Sequence, residues 1–229
     1  MPGRWHPRAG ADPVRGSRDV TRDDGHHSRP MTAHPSHSTP RALRVDPATG
    51  LVDAARQVPS PNCDARPDGA DLSLIVVHGI SLPPGEFGGP WIDRLFTNSL
   101  PPEVHPYFAG IAAARVSAHL LIRRDGEVVQ YVPLHQRAWH AGASRWCGRE
   151  RCNDFSIGIE LEGTDDLPYE PVQYHVLSAL IIALCRAYPT LSPENVTGHS
   201  DIAPGRKTDP GPLFDWPRLR ALVRARYPT

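Results

Sequence analysis

The chain has 229 residues, enough for one domain of ordinary size together with a segment outside it. Lys and Arg number 25, as do Asp and Glu, so the formal net charge is zero. No basic stripe interleaved with aromatic residues occurs, and we therefore expect no nucleic-acid partner. The 4 cysteines form no Cys-x-x-Cys pair, which argues against a disulfide scaffold and a zinc ribbon.

The first 45 residues are predicted to form a disordered, basic, proline-rich tail. They contain eight Arg against four Asp and few large apolar side chains. Such a segment cannot bury enough apolar surface to offset the entropy lost on ordering. Residues 46–229 are interpreted as one folded domain.

The sequence lacks the features of export or membrane insertion. No continuous apolar stretch of a secretory signal occurs near Met1. The longest apolar segment, around Leu177 to Cys185, is well below the roughly 18 residues that a membrane span needs. We expect a cytoplasmic protein that does not associate with a membrane.

The first predicted elements of the domain are a helix, a buried strand and a second helix. Residues 51–58 suggest a short helix, and the apolar run from Leu72 to His78 is typical of a buried strand. Residues 91–96 suggest another short helix. Two strand-like segments, 117–122 and 127–132, flank an Asp-Gly pair, which predicts a β-hairpin.

The second half of the domain alternates between strand and helix. Residues 155–161 are predicted to form a strand, and residues 171–188 a helix with a proline in its first turn. Asp215 can cap a last helix. Because a hairpin and strand–helix alternation occur together, the fold class is α/β (α+β), with a central mixed sheet and surrounding helices.

Two histidines and an aspartate have the character of metal ligands. His78 closes a buried strand, His199 follows a short segment that ends in glycine, and Asp209 comes ten residues later, after a Pro/Gly loop that can fold back. Two imidazoles and one carboxylate form a zinc set that leaves a fourth position for water.

Glu160 is the candidate general base. It lies in an apolar alternation that places Glu160 and Glu162 on one face of a strand. Burial between apolar neighbours would raise the pKa of the Glu160 carboxyl toward the range useful for proton transfer. A polar strand face turned to solvent explains the same spacing equally well.

Lys207 is the only lysine in the chain, whereas the other 24 basic residues are arginines. It lies in the loop between His199 and Asp209. An ammonium is a compact point charge that suits the neutralisation of one developing negative atom, whereas a guanidinium is a planar fork.

These residues, with the segments 81–90, 137–142 and 153–163, resemble the zinc-dependent N-acetylmuramoyl-L-alanine amidases (amidase type 2). The resemblance extends from about Gly50 to Val223 and is strongest to members that recycle anhydro-muropeptides in the cytoplasm. It implies one zinc per chain, held by His78, His199 and Asp209. It also implies Glu160 as the proton acceptor, Lys207 as the transition-state stabiliser, and a fold shared with peptidoglycan recognition proteins.

The implied reaction is hydrolysis of the amide between the lactyl group of 1,6-anhydro-N-acetylmuramic acid and L-alanine of the stem peptide, by an enzyme expected to be monomeric. The positions that match the family's substrate groove are Tyr107, Arg115, Trp139 and Arg151. The two arginines could instead be solvated surface residues. One departure is Gly79, where similar sequences often have Asn, and we expect a substrate hydrogen bond to be lost there.

Two alternatives belong to other functional classes. A muropeptide-binding module of the same fold would bind its ligand without cleaving it and should lack a metal ligand. A secreted wall-lytic amidase should carry an export signal. All five catalytic positions are filled and no such signal was found, so both alternatives are disfavoured.

Overall fold

The computed structural model describes residues 43–227. Residues 1–42 of the predicted tail lie outside the described residues. Leu43 and Val45 are partly buried against the main hydrophobic core, so these two residues of the predicted tail pack with the domain. Within residues 43–227, no helix combines the length and hydropathy required to traverse a bilayer.

The described chain forms short strands and helices in mixed order. The strands are β1 (Val45–Asp46), β2 (Leu51–Val52), β3 (Arg56–Gln57), β4 (Cys63–Ala65), β5 (Leu74–Ile80), β6 (Leu120–Ile122), β7 (Val128–Gln130), β8 (Gln136–Ala138), β9 (Arg145–Trp146), β10 (Arg149–Glu150), β11 (Ser156–Glu162) and β12 (Val196–Gly198). The helices are α1 (Trp91–Phe96), α2 (Pro106–Ala109), α3 (Pro171–Ala187), α4 (His199–Ile202) and α5 (Trp216–Arg226).

A six-stranded mixed sheet lies at the centre, in the order β12-β5-β11-β6-β7-β3. The strands β12, β5, β11 and β6 are mutually parallel, whereas β6 and β7 are antiparallel. The β6–β7 hairpin confirms the turn predicted at Asp125-Gly126, where Gly126 has φ +91°. The mixed sheet confirms the predicted fold class.

The two faces of the sheet bury different side chains. Ile75 and Val77 of β5 pack toward α3 and α5 in the main core. Leu74 and Val76 point the other way and pack with Phe155 and other buried residues. Because side chains alternate along a strand, residue 78 lies on the second face, away from the main core.

The two long helices begin where the sequence predicted. Pro171 opens α3, and the backbone N–H of Glu170 donates to Gln173 Oε1 at 2.9 Å. The side chain of Asp215 accepts from Arg218 N at 2.9 Å and caps α5. All four cysteines lie within the described residues and are free.

The helix predicted over residues 51–58 is wrong, because this segment forms β2 and β3. Gln130 explains the difference: its Oε1 accepts from Val52 N at 2.8 Å, and its backbone carbonyl accepts from Val58 N at 2.9 Å. Arg56 pairs in register with Val129. Hydrogen bonds to β7 therefore override the local helical preference of the segment.

Candidate metal centre and active site

Three parallel strands end at one edge of the sheet, and each supplies a residue to the site. His78 of β5 pairs in register with Glu160 of β11, so both side chains point to the same face. Gly198 of β12 pairs with Val77, and His199 follows directly. In open parallel sheets, the carboxyl ends of the strands are the usual place for ligands.

The side chains of His78, His199 and Asp209 converge. The two Nδ1 atoms are 2.9 Å apart, and Asp209 Oδ2 lies 3.2 Å from His78 Nδ1 and 3.0 Å from His199 Nδ1. Both histidines are buried, and Asp209 is partly buried. The structure thus brings together the three residues that the sequence pattern selected, as a cluster that could hold a metal ion.

The chemistry of this cluster fits a cation. His199 Nε2 lies 3.2 Å from the carbonyl oxygen of Ala141, which can only accept, so Nε2 carries the proton and Nδ1 is left with a lone pair. Burial lowers the pKa of His78 to about 4, which leaves its ring neutral at neutral pH. Two imidazole nitrogens and a carboxylate oxygen are the donor set of catalytic zinc sites.

The loop that carries Asp209 folds back through backbone hydrogen bonds. Ser200 N donates to the carbonyl of Asp209 at 2.9 Å, and the hydroxyl of Tyr169 donates to the carbonyl of Pro210, also at 2.9 Å. A Cβ atom at Gly79 would lie 2.3 Å from the Tyr169 hydroxyl oxygen. Gly79 therefore makes room for the tyrosine that holds the end of this loop.

Glu160 is buried beside the cluster, with a relative exposure of 9%. Its Oε2 atom is buried and has no hydrogen-bond partner among the described residues. Burial raises the pKa of Glu160 well above its ordinary value, the charge of Asp209 raises it further, and the charge of Lys207 opposes the rise. The alternative interpretation, a solvent-facing polar strand face, is wrong, since Glu162 is also buried.

Lys207 lies on the exposed rim of the site. Its backbone N–H donates to Ala203 O at 3.0 Å, in the turn that follows α4. Its positive charge acts on both His78 and Glu160, lowering the pKa of each, although burial is the largest influence on both groups. The ammonium therefore lies within electrostatic reach of the candidate base, Glu160, and of one candidate metal ligand, His78.

A family profile described as N-acetylmuramoyl-L-alanine amidase (Amidase_2) matches residues 68–212, which is more than half of the chain. The protein belongs to this amidase family. The 1,6-anhydro-N-acetylmuramyl-L-alanine amidase AmpD of Escherichia coli K12 is 65% identical over 174 residues, which cover 76% of this chain and 94% of the relative. The AmpD of Haemophilus influenzae is 50% identical over 175 residues, covering 76% and 95%.

A solved structure, a crystal structure of a selenomethionine AmpD derivative, has the same fold. It superposes with a TM-score of 0.75 at 65% identity and covers 78% of this chain and 98% of its own. The fold and the family predicted from the sequence are confirmed.

Two of the four substrate-groove candidates of this amidase, Trp139 and Arg151, are joined by one polar network. The indole Nε1 of Trp139 donates to Asp64 at 3.2 Å, and Arg137 bridges Asp64 to Asp154. Arg151 Nε lies 3.2 Å from Asp154, and the Arg151 side chain is 70% exposed. The network orients Trp139 and leaves the guanidinium of Arg151 largely in solvent.

The other two candidates of the amidase are exposed side chains. Tyr107 is 46% exposed in α2, where its backbone N–H donates to His105 Nδ1 at 3.1 Å. Arg115 is exposed and donates to the carbonyl of Ala113 at 3.2 Å. The structure does not place either residue in hydrogen-bond contact with the metal cluster, among the contacts that it describes.

His140 was not among the residues expected at the site, yet it contacts His78, a candidate metal ligand. His140 Nε2 lies 3.1 Å from Ser156 Oγ, and His140 Nδ1 lies 2.9 Å from His78 Nε2. Asn153 Oδ1 accepts from the backbone N–H groups of His140 and Ala141, at 3.1 and 2.7 Å. In the sequence, the segment 137–142 contributes only to the family resemblance, because one isolated histidine carries no spacing signal.

Proposed function

We propose that this protein is a zinc-dependent amidase that hydrolyses the bond between the lactyl group of 1,6-anhydro-N-acetylmuramic acid and L-alanine of the stem peptide, in the recycling of cell-wall muropeptides. The observation that carries the proposal is the convergence of His78, His199 and Asp209 beside the buried carboxyl of Glu160, whose Oε2 has no hydrogen-bond partner among the described residues. Relatives named for this activity, at 50% and 65% identity, support the substrate.

Each residue of the site has a distinct role in the proposed reaction. Zinc held by His78, His199 and Asp209 would acidify the attacking water and polarise the amide carbonyl. Glu160 takes a proton from the water as its oxygen forms a C–O bond to the amide carbon. Glu160 then passes this proton to the nitrogen of L-alanine as the C–N bond breaks. The Lys207 ammonium stabilises the negative charge that develops on the former carbonyl oxygen.

Replacing Lys207 with arginine is expected to lower kcat by about a hundredfold or more, with zinc content and fold retained. The change keeps the charge, but a broad guanidinium cannot occupy the position of a compact ammonium. Because the lost interaction belongs to the transition state, the defect should appear in kcat rather than KM. The measurement is steady-state kinetics on a synthetic anhydro-muropeptide.

A matched control for this variant is Arg220→Lys, the reverse exchange at an exposed position of α5. It should leave kcat unchanged. If the zinc-loaded Lys207→Arg protein turns over substrate at the parental rate, Lys207 is a surface cation without a catalytic role.

The experiment that tests the proposed substrate is a comparison of three compounds by liquid chromatography. These are anhydro-N-acetylmuramyl-tripeptide, the same muropeptide with a reducing sugar, and polymeric peptidoglycan. We expect the anhydro compound to be cleaved fastest, with release of the free tripeptide. Binding of muropeptide without any cleavage by the zinc-loaded protein would favour the non-catalytic binding module, and preferential cleavage of the polymer would favour a wall-lytic amidase.

The proposal extends to the cell compartment and the oligomeric state. We assign the enzyme to the cytoplasm, where the members it most resembles act, and we expect it to be monomeric. Cell fractionation tests the first assignment, and light scattering of the purified protein tests the second.

We also propose that the catalytic domain functions without the residues that precede it. Removal of residues 1–40 ends before Leu43 and Val45, which pack against the core, and is expected to leave turnover intact. The comparison is kcat of the full chain and of the shortened chain. A fall of more than about tenfold, or roughly 1.4 kcal/mol of barrier, would contradict this proposal.

A further inference from the structure

The second nitrogen of His78 faces another histidine. His78 Nε2 lies 2.9 Å from His140 Nδ1, and the two rings meet edge to face, with centroids 5.0 Å apart. Metal-binding histidines usually donate this second N–H to a carboxylate, a backbone carbonyl or water. A carbonyl can only accept, whereas an imidazole nitrogen can donate or accept, so His140 orients His78 only if its own tautomer is determined.

Ser156 and a backbone carbonyl determine that tautomer. Ser156 Oγ lies 2.5 Å from the carbonyl oxygen of Cys152 and 3.1 Å from His140 Nε2. The hydroxyl has one proton, which must point to the carbonyl, so Ser156 can only accept from His140 Nε2. With the proton on Nε2, a neutral His140 has a lone pair on Nδ1 and accepts from His78 Nε2. His78 Nδ1 is then unprotonated, on the side of His199 and Asp209.

The surroundings of His140 favour this arrangement. A Cβ atom at Gly158 would lie 2.4 Å from the His140 ring, so the ring occupies space that only glycine leaves open in β11. The other proposed histidine ligand, His199, does not depend on a second side chain, because its Nε2 faces the carbonyl oxygen of Ala141 directly.

We propose that His140 and Ser156 are positioning residues for the metal: the hydrogen-bond chain His78–His140–Ser156–Cys152 O, here called the relay, holds His78 in the tautomer that presents Nδ1 to zinc. This inference rests on the proposed zinc site. Loss of the relay leaves His78 free to carry its proton on Nδ1, and that proton must move before metal can bind. Loss of an outer-shell partner typically weakens metal binding by about 10–100-fold.

The test compares His140→Leu with His140→Asn, two side chains that share a branched carbon skeleton of similar size. Asn can place an acceptor near the position of Nδ1, whereas Leu cannot. Zinc affinity is measured by competition with a chromophoric chelator, and folding is checked by thermal melting. We expect His140→Leu to bind zinc about 10–100-fold more weakly, and His140→Asn to recover most of the affinity. Equal zinc affinity in His140→Leu and the parent overturns the proposal.

A second pair of variants separates positioning from a general packing effect. Ser156→Ala touches no metal ligand, and Ser178→Ala is its control, because Ser178 is also fully buried and donates to a backbone carbonyl, that of His175, at 2.9 Å. We expect zinc affinity to fall in Ser156→Ala and to stay at the parental value in Ser178→Ala. Equal affinities in the two alanine variants count against the relay.

The tautomer itself can be observed without metal. Long-range ¹⁵N–¹H correlation spectra of the zinc-free protein should show the His78 proton on Nε2 in the parent and a mixture of tautomers in Ser156→Ala. A parental His78 with its proton on Nδ1 overturns the relay even if zinc binds normally. A parent that binds no zinc but shows the Nε2 tautomer overturns the proposed function and leaves the hydrogen-bond chain in place.

Discussion

Replacing Asp209 or His78 with alanine is expected to remove the metal and to bring turnover down to the level of the uncatalysed reaction. Asp209 Oδ2 lies within 3.2 Å of both His78 Nδ1 and His199 Nδ1, so the three atoms could coordinate one metal ion together. With one of three protein ligands gone, too few contacts remain to hold zinc against water. Elemental analysis and kinetics on an anhydro-muropeptide measure the two effects.

The control for Asp209→Ala is Asp215→Ala, which removes the N-cap of α5. This variant should lose about 1 kcal/mol of stability while it keeps both zinc and activity. A strong chelator applied to the parent should reproduce the Asp209→Ala phenotype, and added zinc should reverse it. Stoichiometric zinc in the Asp209→Ala protein would contradict the assignment of this ligand.

Replacing Glu160 with glutamine is expected to lower kcat by about 10²–10⁴-fold, the usual contribution of a positioned acid–base group. Glutamine has nearly the same shape but cannot take a proton from water. Zinc content should not change, since Glu160 is not among the three clustered ligand residues. The measurement is single-turnover kinetics with zinc quantified in the same sample.

The same substitution should stabilise the zinc-free protein above neutral pH. Burial raises the folded-state pKa of Glu160, so the favourable neutral form is lost as pH rises through that pKa, and the buried Oε2 then carries unpartnered charge. Replacing this buried charge with a neutral amide should raise the free energy of unfolding by about 1–3 kcal/mol, which corresponds to a melting temperature about 2–10 °C higher. Below the ordinary glutamate pKa of about 4.3, both proteins have a neutral side chain and the difference should vanish.

Glu162→Gln is the matched control, two residues along the same strand face. Glu162 is buried too, but Oε1 lies 3.2 Å from Arg123 Nη1 and accepts from Gly88 N at 2.7 Å. Breaking this buried ion pair should destabilise the protein by about 3–5 kcal/mol. Activity should persist in folded Glu162→Gln and be lost in Glu160→Gln. A Glu160→Gln melting temperature at or below that of the zinc-free parent at pH 8 would contradict the stability argument.

Much of the sheet could be predicted because its signals are local. The apolar run of β5 is buried from Leu74 to His78, and a continuous apolar run is what a parallel strand buried on both faces requires. β11 is buried along its whole length as well, but it was predicted from an alternating pattern that includes two glutamates. The hairpin turn and the caps of α3 and α5 depend on residues within a few positions of each other. The metal-ligand candidates could be selected because His78 closes a buried apolar run, His199 follows a short segment that ends in glycine, and Asp209 comes ten residues later, after a loop that can fold back.

What could not be predicted depends on partners distant in the chain. β2 and β3 exist because Gln130, more than 70 residues later, supplies their hydrogen bonds. The relay joins His78 to His140 and Ser156 through contacts that the spacing of these residues in the sequence does not indicate. The need for glycine at position 79 could not be predicted either, because Tyr169, which occupies the space beside it, is distant in the sequence.

If this chain uses a bound metal to hydrolyse the lactyl amide, the oxygen of the attacking water must enter the lactyl carboxylate, and mass spectrometry of the products formed in H₂¹⁸O detects that oxygen. Zinc-loaded protein acting on anhydro-N-acetylmuramyl-tripeptide should place one labelled oxygen in the lactyl carboxylate of the sugar and release an unlabelled tripeptide. Chelated protein should form neither product until zinc is restored. Label in the peptide, or undiminished cleavage by protein shown to be metal-free, would contradict the account.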